Sequence, residues 1–425
     1  MKVLIISHNS ITTYQNMGKT LLSLFSSFDK SELCQLYVYP TVPDVDVCNS
    51  YYRVTDRDVF NSYFRFGRVN SRIITKDEIN ENEHSLYQSS TDADFYKKKK
   101  KNSLTLLCRD LMWRLSGWYN SSLEEWLEKE APTCIFLAPG ESKFIYDVAL
   151  AIAQKRDIGI FTYVCDEYYF VSKPDKLLDR IQLSLLKKKM MKTLKKSKGI
   201  ITICDELADV YNKEFGTCTH TILTGSNYPI KNGAVIRQRI SGITYMGNLS
   251  CNRYISIAEI GRALDEINTE NGTDLKLYLY SSPLSDTYKS AFEGISSIAY
   301  SGYVTGRDFE EAFERADVLL HVEAFDERSI ERVRHSMSTK IADALGSGKI
   351  LFAYGPCNVA SIKHLIRNNC AFVVTDKTKL KEDLCKLLGM ESADEVITAA
   401  LATARAYHSG EKNSRALYEI LNTAE

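Results

Sequence analysis

Residues 338–356 read STKIADALGSGKILFAYGP, and this stretch decides the fold. Ser338 or Thr339 can cap a helix that runs through KIADALGS, because a side-chain hydroxyl suits the free amides of a first turn. The apolar run ILFAYG then predicts a buried strand. Gly346 and Gly348 stand where the helix stops, so GSGK is a helix end and not a phosphate loop.

The start of this predicted helix is the end that suits an anion. Hydroxyl groups, unpaired backbone amides and Lys340 converge there, which is a suitable arrangement for a diphosphate. Asp343 follows one turn later on the same face, where its carboxylate can accept hydrogen bonds from the ribose hydroxyls of a nucleotide. The alternative is an ordinary capped helix with a Lys340–Asp343 surface pair, and this segment alone favours neither.

Outward from this stretch, short apolar runs alternate with helix-like segments along most of the chain. The runs lack polar alternation, so they predict parallel sheets that are covered by helices on both faces. The predicted strands are KVLIIS (2–7), QLYVYP (35–40), CIFLAP (134–139), GIFTYVCD (159–166), GIITIC (199–204), HTILTG (220–225), ITYMGN (243–248), LKLYLYSS (275–282), AYSGYV (299–304), DVLLHV (317–322), ILFAYG (350–355) and AFVVT (371–375).

These strands fall into two series separated by residues 224–242, a segment with Gly, Asn and Pro and no helical period. We therefore predict an α/β fold with two Rossmann-like domains that face a cleft. The expected boundaries are 1–225 for the N-terminal domain and 240–405 for the C-terminal domain. The polar, tyrosine-rich segment 42–102 is expected to form an insertion or a mobile lobe.

Composition excludes several classes of protein. The 425 residues include 54 basic and 54 acidic side chains, so the formal net charge is zero and nucleic-acid binding has no whole-chain support. Eleven cysteines without a Cys-x-x-Cys pair favour a reducing compartment over a disulfide framework or a zinc site. The apolar run in the opening MKVLIISHNS is too short for a signal peptide. No apolar run reaches the roughly 18 residues of a membrane span. A cytoplasmic location is expected.

A second stretch looks like a phosphate loop at first sight. Residues 13–20, TYQNMGKT, resemble a Walker A loop, but Thr13 stands where the first glycine would allow the loop to curl around phosphates. The simpler interpretation is that Gly18 opens the first helix.

The stretch 338–356 resembles the C-terminal-domain signature of nucleotide-sugar glycosyltransferases with the GT-B fold. In that signature a polar helix start and an acidic residue precede a small-Gly turn and an apolar strand. Residues 243–257 resemble the first strand and glycine loop of the donor domain, and residues 300–322 resemble the segment that holds the nucleobase. Residues 404–421 resemble the closing helices, so the resemblance implies a crossover helix at 406–425 that returns to the N-terminal domain.

The resemblance implies that the chain binds a nucleotide-sugar, UDP- or GDP-linked in the first instance, and needs no metal or other cofactor. Arg253 and Lys340 would stabilise the diphosphate as it leaves, assisted by hydroxyls at the helix start. The expected donor-binding residues are Gly247, Asn248, Arg253, Gly302, Tyr303, Val304, Ser338, Thr339, Lys340 and Asp343.

The chain departs from the family at one pair of positions. Many retaining members carry two glutamates eight residues apart, and here those positions hold His335 and Asp343. Retention or inversion of the anomeric centre therefore stays open. An inverting enzyme needs a base from the N-terminal domain. His8, Asp166 and Glu167 follow predicted parallel strands, where ligands usually bind, although each could instead be a turn residue.

The expected acceptor is a glycan in cell-surface polysaccharide synthesis. Lysine clusters at 97–101 and 185–198 lie beside apolar helices, which suits an anionic inner-membrane surface with a lipid-linked acceptor. The same clusters could be solvated helix faces. Two other functions remain open: a nucleotide-sugar epimerase of the same fold, and a non-catalytic glycosyltransferase-like subunit.

Overall fold

The computed structural model describes residues 1–13, 16–64, 69–83, 102–171, 174–235, 240–390 and 392–423. The chain divides into two compact units. Unit 1 comprises Met1–Thr224 together with Gly410–Glu425, and unit 2 comprises Gly225–Ser409.

Unit 1 is built on a sheet of eight strands in the order β4-β3-β2-β1-β5-β6-β7-β8. All neighbouring strands are parallel except β4, which runs antiparallel to β3. The strands are β1 (Val3–Ser7), β2 (Leu33–Tyr37), β3 (Ser50–Arg53), β4 (Arg72–Ile74), β5 (Cys134–Ala138), β6 (Gly159–Val164), β7 (Gly199–Thr202) and β8 (Thr219–Thr221).

The segment 42–102, which the sequence analysis set apart, contributes β3 and β4 to this sheet. Tyr51 and Tyr52 of β3 are fully buried, and their hydroxyls are satisfied. The Tyr51 hydroxyl donates to the Val45 carbonyl, and the Tyr52 hydroxyl bonds the Ser71 hydroxyl. A tyrosine-rich strand was hard to recognise because a tyrosine can be core when its hydroxyl finds a partner. Residues 65–68 and 84–101, including the lysines at 97–101, lie outside the described residues.

Helices flank the sheet of unit 1. The predicted helix or helix pair at 104–130 is a pair, broken at 116–120, and Asn102 and Asn120 cap its two members. The helices are α1 (Asn16–Leu24), α2 (Asp56–Ser62), α3 (Lys76–Glu83), α4 (Ser103–Leu115), α5 (Ser121–Glu130), α6 (Lys143–Arg156), α7 (Leu177–Leu194), α8 (Asp205–Phe215) and, from the C-terminus, α17 (Gly410–Asn422).

Helix α17 packs against α1, so the C-terminal helix returns to the N-terminal unit as the sequence predicted. The Ser414 hydroxyl accepts a hydrogen bond from the Ser27 amide at 2.9 Å. The Tyr418 ring lies 5.1 Å from the Phe28 ring, and its hydroxyl donates to Glu32. Polar and aromatic contacts therefore attach the C-terminal helix α17 to residues 27–32 near the N-terminus.

Unit 2 contains a six-stranded parallel sheet in the order β11-β10-β9-β12-β13-β14. The chain moves outward from β9 in one direction and then restarts at β12 on its other side, so a topological switch point lies between β9 and β12. The strands are β9 (Gly242–Met246), β10 (Lys276–Tyr280), β11 (Ile298–Gly302), β12 (Val318–Val322), β13 (Ile350–Tyr354) and β14 (Phe372–Val374).

Each strand of unit 2 leads into one or two α-helices, as in the predicted Rossmann-like pattern. The core lies between the sheet and these helices, with Ile243, Leu277 and Phe352 fully buried. The helices are α9 (Arg253–Asn271), α10 (Asp286–Phe292), α11 (Gly306–Arg315), α12 (Glu327–Val333), α13 (Thr339–Gly346), α14 (Ala360–Arg367), α15 (Leu380–Leu388) and α16 (Asp394–Tyr407), and short 3₁₀ turns occupy Lys30–Glu32 and Lys377–Lys379.

The GSGK segment ends helix α13, as predicted, and its lysine has a structural role. Gly348 has φ of +72°, a left-handed conformation that favours glycine. Lys349 is buried, and its Nζ donates to the backbone carbonyls of Phe313, Glu314 and Ala316 at 2.6–2.9 Å. The ammonium group therefore satisfies free carbonyls at the end of α11, where the helix dipole favours a cation.

Lys349→Met is expected to lower the free energy of unfolding by about 2 kcal/mol, because three carbonyls lose a charged donor in a buried place. Chemical denaturation of the full chain, with hydrogen exchange at the end of α11, would measure the loss. Lys363→Met on α14 is a matched control, for which a change within about 0.5 kcal/mol is expected. Equal stability of the Lys349 and Lys363 variants would contradict the capping role.

Candidate functional site

Polar residues gather at the carboxyl edge of the unit 2 sheet, on either side of the switch point. Gly247 directly follows β9, and Glu323 directly follows β12. In open α/β sheets, ligands bind in the crevice outside the carboxyl ends of the strands at such a point. The side chains that reach this edge between β9 and β12 are therefore the candidate ligand-binding residues of unit 2.

Arg253, the first residue of α9, forms a bidentate ion pair with Glu323. Its Nε and Nη2 atoms lie 3.0 Å from the two carboxylate oxygens, and Nη1 donates to the Asn248 side-chain oxygen at 3.1 Å. The Glu323 side chain is 3% exposed and that of Arg253 is 16% exposed. Burial raises the pKa of Glu323 above its ordinary value, and Arg253 opposes that rise. The pair bridges the loops after β9 and β12 and fixes the guanidinium.

Lys340 brings a second positive charge to the same place. Lys340 is an exposed residue, but its Nζ lies against the loop after β9. A Cβ atom at Gly247 in this loop would lie 2.8 Å from Lys340 Nζ and 2.9 Å from the Tyr245 hydroxyl. Desolvation lowers the pKa of Lys340, and the neighbouring charge of Arg253 lowers it further. Within the part of the chain that the structure describes, the Lys340 ammonium forms no hydrogen bond or ion pair. It is therefore a cation whose donors are available to a ligand.

Helix α13 begins with Ser338 in the cap position, but the Ser338 hydroxyl does not make the capping bond that we expected. The Ile341 amide bonds the Ser338 carbonyl at 3.1 Å instead. Thr339 is exposed at the first helical position. In the described chain no hydrogen bond uses the Ser338 hydroxyl or the Thr339 amide, so these donors stand beside Lys340 without an internal acceptor.

Asp343 has a role that sequence reasoning missed. Its carboxylate accepts hydrogen bonds from the Ser226 hydroxyl at 3.1 Å and from the Asn227 backbone amide at 2.7 Å, and Oδ2 accepts from the Asn227 side chain at 3.0 Å. These bonds fasten the first residues of unit 2 to α13. In this structure the chain itself occupies much of the carboxylate that we expected to face a ribose.

The loop between β9 and α9 is held in an unusual conformation. Cys251 and Asn252 are consecutive non-glycine residues with φ of 54° and 55°. Such residues cost free energy and persist where the surroundings hold them. The Asn248 side chain accepts from the Ser250 amide and hydroxyl, and Asn252 donates to Asp326 at 3.1 Å. The loop thus places Asn248 and Arg253 with little freedom.

His321 lies beneath the charged group and was not predicted as a site residue. Its Nε2 is 3.1 Å from the Ser361 hydroxyl and 3.7 Å from the Glu323 carboxylate. Burial lowers the pKa of His321 to about 3, and the charges of Arg253 and Lys340 contribute. The ring is therefore neutral at physiological pH. The sequence signal for His321 and Glu323 was their position at the end of a predicted strand.

The low pKa of His321 predicts a loss of stability in acid. Above pH 6.5, the ordinary pKa of a histidine, the folded and unfolded chains both carry a neutral ring. Between 6.5 and about 3, only the unfolded chain binds the proton, so unfolding becomes more favourable as the pH falls. We expect a loss of about 2 kcal/mol between pH 6.5 and pH 5 from this residue. Denaturation of wild type and His321→Gln at both pH values would measure it, and an unchanged slope in the variant would contradict the assignment.

The predicted nucleobase segment Gly302–Val304 lies at the end of β11, on the same sheet edge. The Gly302 carbonyl accepts from the Ser281 amide at 2.9 Å, and Gly302 has φ of +79°. Tyr303 is 70% exposed. Strand β10 stands between β11 and β9, so this segment lies on the same sheet edge as Gly247 but two strands away from it.

In unit 1, His8 follows β1 at the switch point between β1 and β5. Its ring meets Phe144 edge-on at 5.7 Å, and a Cβ atom at Gly140, which follows β5, would lie 3.6 Å from it. Asp166 follows β6, one strand further along the sheet, and accepts from the Tyr168 hydroxyl at 3.3 Å. The structure therefore brings His8 and Asp166 to the same edge.

Glu167 differs from these two because it closes a turn. Its Oε1 accepts from the amides of Tyr169 and Phe170 at 2.6 and 2.8 Å and from the Tyr211 hydroxyl at 3.3 Å. One carboxylate oxygen is therefore used by the chain, and Glu167 has a structural role whether or not it has another.

Among the described residues, no group of three or more His, Cys, Asp and Glu side chains is placed to hold a metal ion. No helix in the described ranges has both the length and the apolar character needed to cross a bilayer.

Comparison of the fold with solved structures gives matches over essentially the whole chain. A UDP-forming α,α-trehalose-phosphate synthase from Burkholderia vietnamiensis is 12% identical with a TM-score of 0.60, and 99% of this chain and 100% of that one are covered. HepE from Anabaena, in complex with UDP-glucose, is 9% identical with a TM-score of 0.59 and full coverage of both chains. The apo lipopolysaccharide outer core galactosyltransferase WaaB is 10% identical with a TM-score of 0.58 and 99% coverage of both. No family model matches the chain, and no curated protein sequence does.

These similarities show the fold. The chain has the GT-B fold of nucleotide-sugar glycosyltransferases, with two Rossmann-like α/β units, and the predicted fold class is confirmed. The resemblance to GT-B glycosyltransferases that the sequence indicated is therefore confirmed for the fold.

Proposed function

We propose that the chain is a glycosyltransferase that moves a sugar from a nucleotide-sugar to a glycan acceptor. One observation carries the proposal: Arg253 and Lys340, at the first turns of α9 and α13, meet at the switch point of the unit 2 sheet. Arg253 is held by Glu323, and Lys340 is uncommitted among the described residues. Two cations at two helix starts suit a diphosphate better than a neutral ligand.

The proposed reaction breaks the bond between the anomeric carbon and the β-phosphate oxygen and forms a bond to an acceptor hydroxyl oxygen. The nucleoside diphosphate leaves with the electron pair, and the hydroxyl proton passes to a base. Lys340 and Arg253 stabilise the charge that develops on the diphosphate, since preorganised donors act most strongly where charge appears in the transition state. The Ser338 hydroxyl and the amides at the start of α13 assist them.

The rest of the donor would extend along the sheet edge. We propose that Gly302, Tyr303 and Val304 contact the nucleobase and that Gly247 and Asn248 lie against the diphosphate. Glycine at 247 leaves room for the close approach, because a Cβ atom there would lie 2.8 Å from Lys340 Nζ and 2.9 Å from the Tyr245 hydroxyl. HepE was solved with UDP-glucose, and the Burkholderia enzyme is UDP-forming, which favours a UDP-linked hexose as the first donor to test. The chemistry proposed needs no metal, since two cationic side chains serve the diphosphate.

If transfer inverts the anomeric centre, His8 or Asp166 is the proposed base, as both lie at the carboxyl edge of the unit 1 sheet. Glu167 is the weaker choice because Oε1 is bound by its own turn. The acceptor class proposed is a glycan of a surface polysaccharide, which accords with the lipopolysaccharide galactosyltransferase among the matched structures.

The experiment is a panel of UDP-, GDP-, dTDP- and CMP-sugars, incubated with the full chain and with a glycan-lipid extract. Release of a nucleoside diphosphate that depends on the extract, with a radiolabelled sugar recovered in the lipid fraction, is expected. A changed sugar that is still attached to its nucleotide would instead show an epimerase. Thermal stabilisation by a nucleotide without turnover would show a non-catalytic subunit, and absence of any nucleotide binding would refute the proposal.

A further inference from the structure

Helix α4 of unit 1 exposes a row of apolar side chains to the solvent. Its exposed positions are Leu104, Cys108, Leu111, Arg114 and Leu115. The four apolar ones are spaced four, three and four residues apart, so they form one stripe along the helix. The three leucines are 55%, 55% and 66% exposed. The buried face carries Trp113, which stacks on Phe144 at 4.3 Å, and Asp110, whose carboxylate accepts from the Phe144 amide at 3.0 Å. A surface helix of a globular protein normally presents polar side chains to the solvent, so this exposed apolar stripe is unusual.

Helix α7, which packs against α4, continues this feature. Leu177, Leu178, Ile181 and Leu185 are 71%, 46%, 41% and 37% exposed in its first half. Further along the same exposed side the helix becomes basic, with Lys188 and Lys192 exposed on either side of Met191. Single exposed leucines are ordinary, but contiguous ones on two neighbouring helices mark an interaction surface. We call the exposed residues of α4 and α7 the α4–α7 face.

Residues 175–198, which include α7, are strongly basic, although the chain as a whole is neutral. Residues 175–198 contain nine lysine and arginine residues and two aspartates, a formal charge of +7, while the whole chain has a net charge of zero. The remaining residues therefore carry −7. Three of these cations are used internally. Lys189 pairs with Asp147, Lys187 Nζ donates to the Val171 carbonyl at 3.1 Å, and Arg180 Nε donates to the Pro174 carbonyl at 2.7 Å. Positive charge is thus concentrated beside the exposed apolar stripe.

A cavity of about 450 Å³ opens between α7 and the segment after β6. Its lining combines apolar side chains with three cations, namely Tyr169, Pro174, Arg180, Leu183, Ser184, Lys187, Lys188 and Met191. A phosphate that carries an apolar tail matches such a lining, because the cations attract the phosphate and the apolar residues can contact the first carbons of the tail.

We infer that the α4–α7 face docks on an anionic phospholipid bilayer. The leucines and isoleucine would enter the boundary between headgroups and acyl chains, and the α7 lysines would lie among lipid phosphates, as in amphipathic helices that lie on membranes. A second copy of this chain is a poorer occupant, because a two-fold interface would bring one α7 cluster of like charge against the other. The inference does not depend on the proposed glycosyl transfer, but it would place the enzyme where lipid-linked acceptors reside.

Vesicle co-flotation of the full chain tests the inference. We expect binding to vesicles of phosphatidylcholine with about one third phosphatidylglycerol, weak binding to pure phosphatidylcholine, and affinity that falls as salt rises. Lys188→Glu/Lys192→Glu should weaken binding at least tenfold, since each basic residue near an anionic surface contributes roughly fivefold. Leu111→Ser/Leu115→Ser should weaken it by a similar factor through lost apolar burial.

Matched controls have equal changes elsewhere. Lys129→Glu/Lys213→Glu reverses two exposed lysines of unit 1 that lie on α5 and α8, and Ile73→Ser/Ile366→Ser removes two exposed isoleucines outside the face. Both controls should bind as wild type does. Absence of wild-type binding, equal loss in the controls, or salt-independent binding would overturn the inference. So would a wild-type dimer, seen by light scattering, that the leucine variant dissociates without any effect on vesicles. No donor or acceptor is present, so failure here leaves the test of sugar transfer untouched.

Discussion

Replacing Lys340 by alanine is expected to weaken the binding of a nucleoside diphosphate, and the turnover of its sugar, by about a hundredfold or more. The Lys340 ammonium is the one group of the proposed site that is both charged and, among the described residues, without a hydrogen bond or ion pair. Its loss removes a donor from the diphosphate and leaves the fold intact, because no internal partner is orphaned. Calorimetric titration with UDP, or with the nucleotide that the panel selects, would measure the change.

Lys386→Ala is the matched control for this prediction. Lys386 lies near the end of α15, where helices that follow parallel strands return to the amino edge of the sheet, and it pairs on the surface with Glu382 and Asp383. Its replacement should leave nucleotide affinity unchanged. Unaltered affinity in Lys340→Ala, with the nucleotide still bound, would remove the diphosphate from the start of α13.

Replacing Glu323 by alanine is expected to lower the free energy of unfolding by about 3 kcal/mol or more, since it leaves the guanidinium of Arg253 without its partner in a largely buried place. The same change frees the arginine from its fixed position, so nucleotide affinity should fall as well. Denaturation of the full chain gives the first quantity, and calorimetric titration gives the second. Glu327→Ala, at an exposed position four residues later, should change stability by no more than about 0.5 kcal/mol.

A double variant separates the two roles of this ion pair. Arg253→Met/Glu323→Leu replaces both charges by apolar groups of similar size, which often restores or exceeds the stability of a buried pair. Stability should therefore recover while nucleotide binding remains weak. If the double variant bound nucleotide like wild type, Arg253 would be structural only. If Glu323→Ala were as stable as wild type, the pair would contribute nothing to the fold.

Most strands were readable from the sequence because they are unbroken apolar runs. Strands such as β1 and β13 are covered on both faces, so their residues need not alternate, and local composition carries the signal. Strand β3 was not readable, since its Tyr51 and Tyr52 look polar until their hydroxyls are seen to be bonded. The C-terminal helix was placed correctly only through resemblance to a family, because its partner α1 lies almost 400 residues away in sequence.

The sequence by itself determined most strands of the two α/β sheets, the helix start at Ser338–Lys340 and the end of that helix at Gly346–Gly348, because hydrophobic runs, hydroxyl residues and glycines act through local geometry. Only the tertiary structure decided what the charged side chains do. In the folded chain Arg253 pairs with Glu323, and the Asp343 carboxylate accepts hydrogen bonds from Ser226 and Asn227. Lys349 donates to the carbonyls at the end of α11, and the leucines of α4 are exposed. Those partners are tens or hundreds of residues apart, and charge acts through distances in space that no local pattern records.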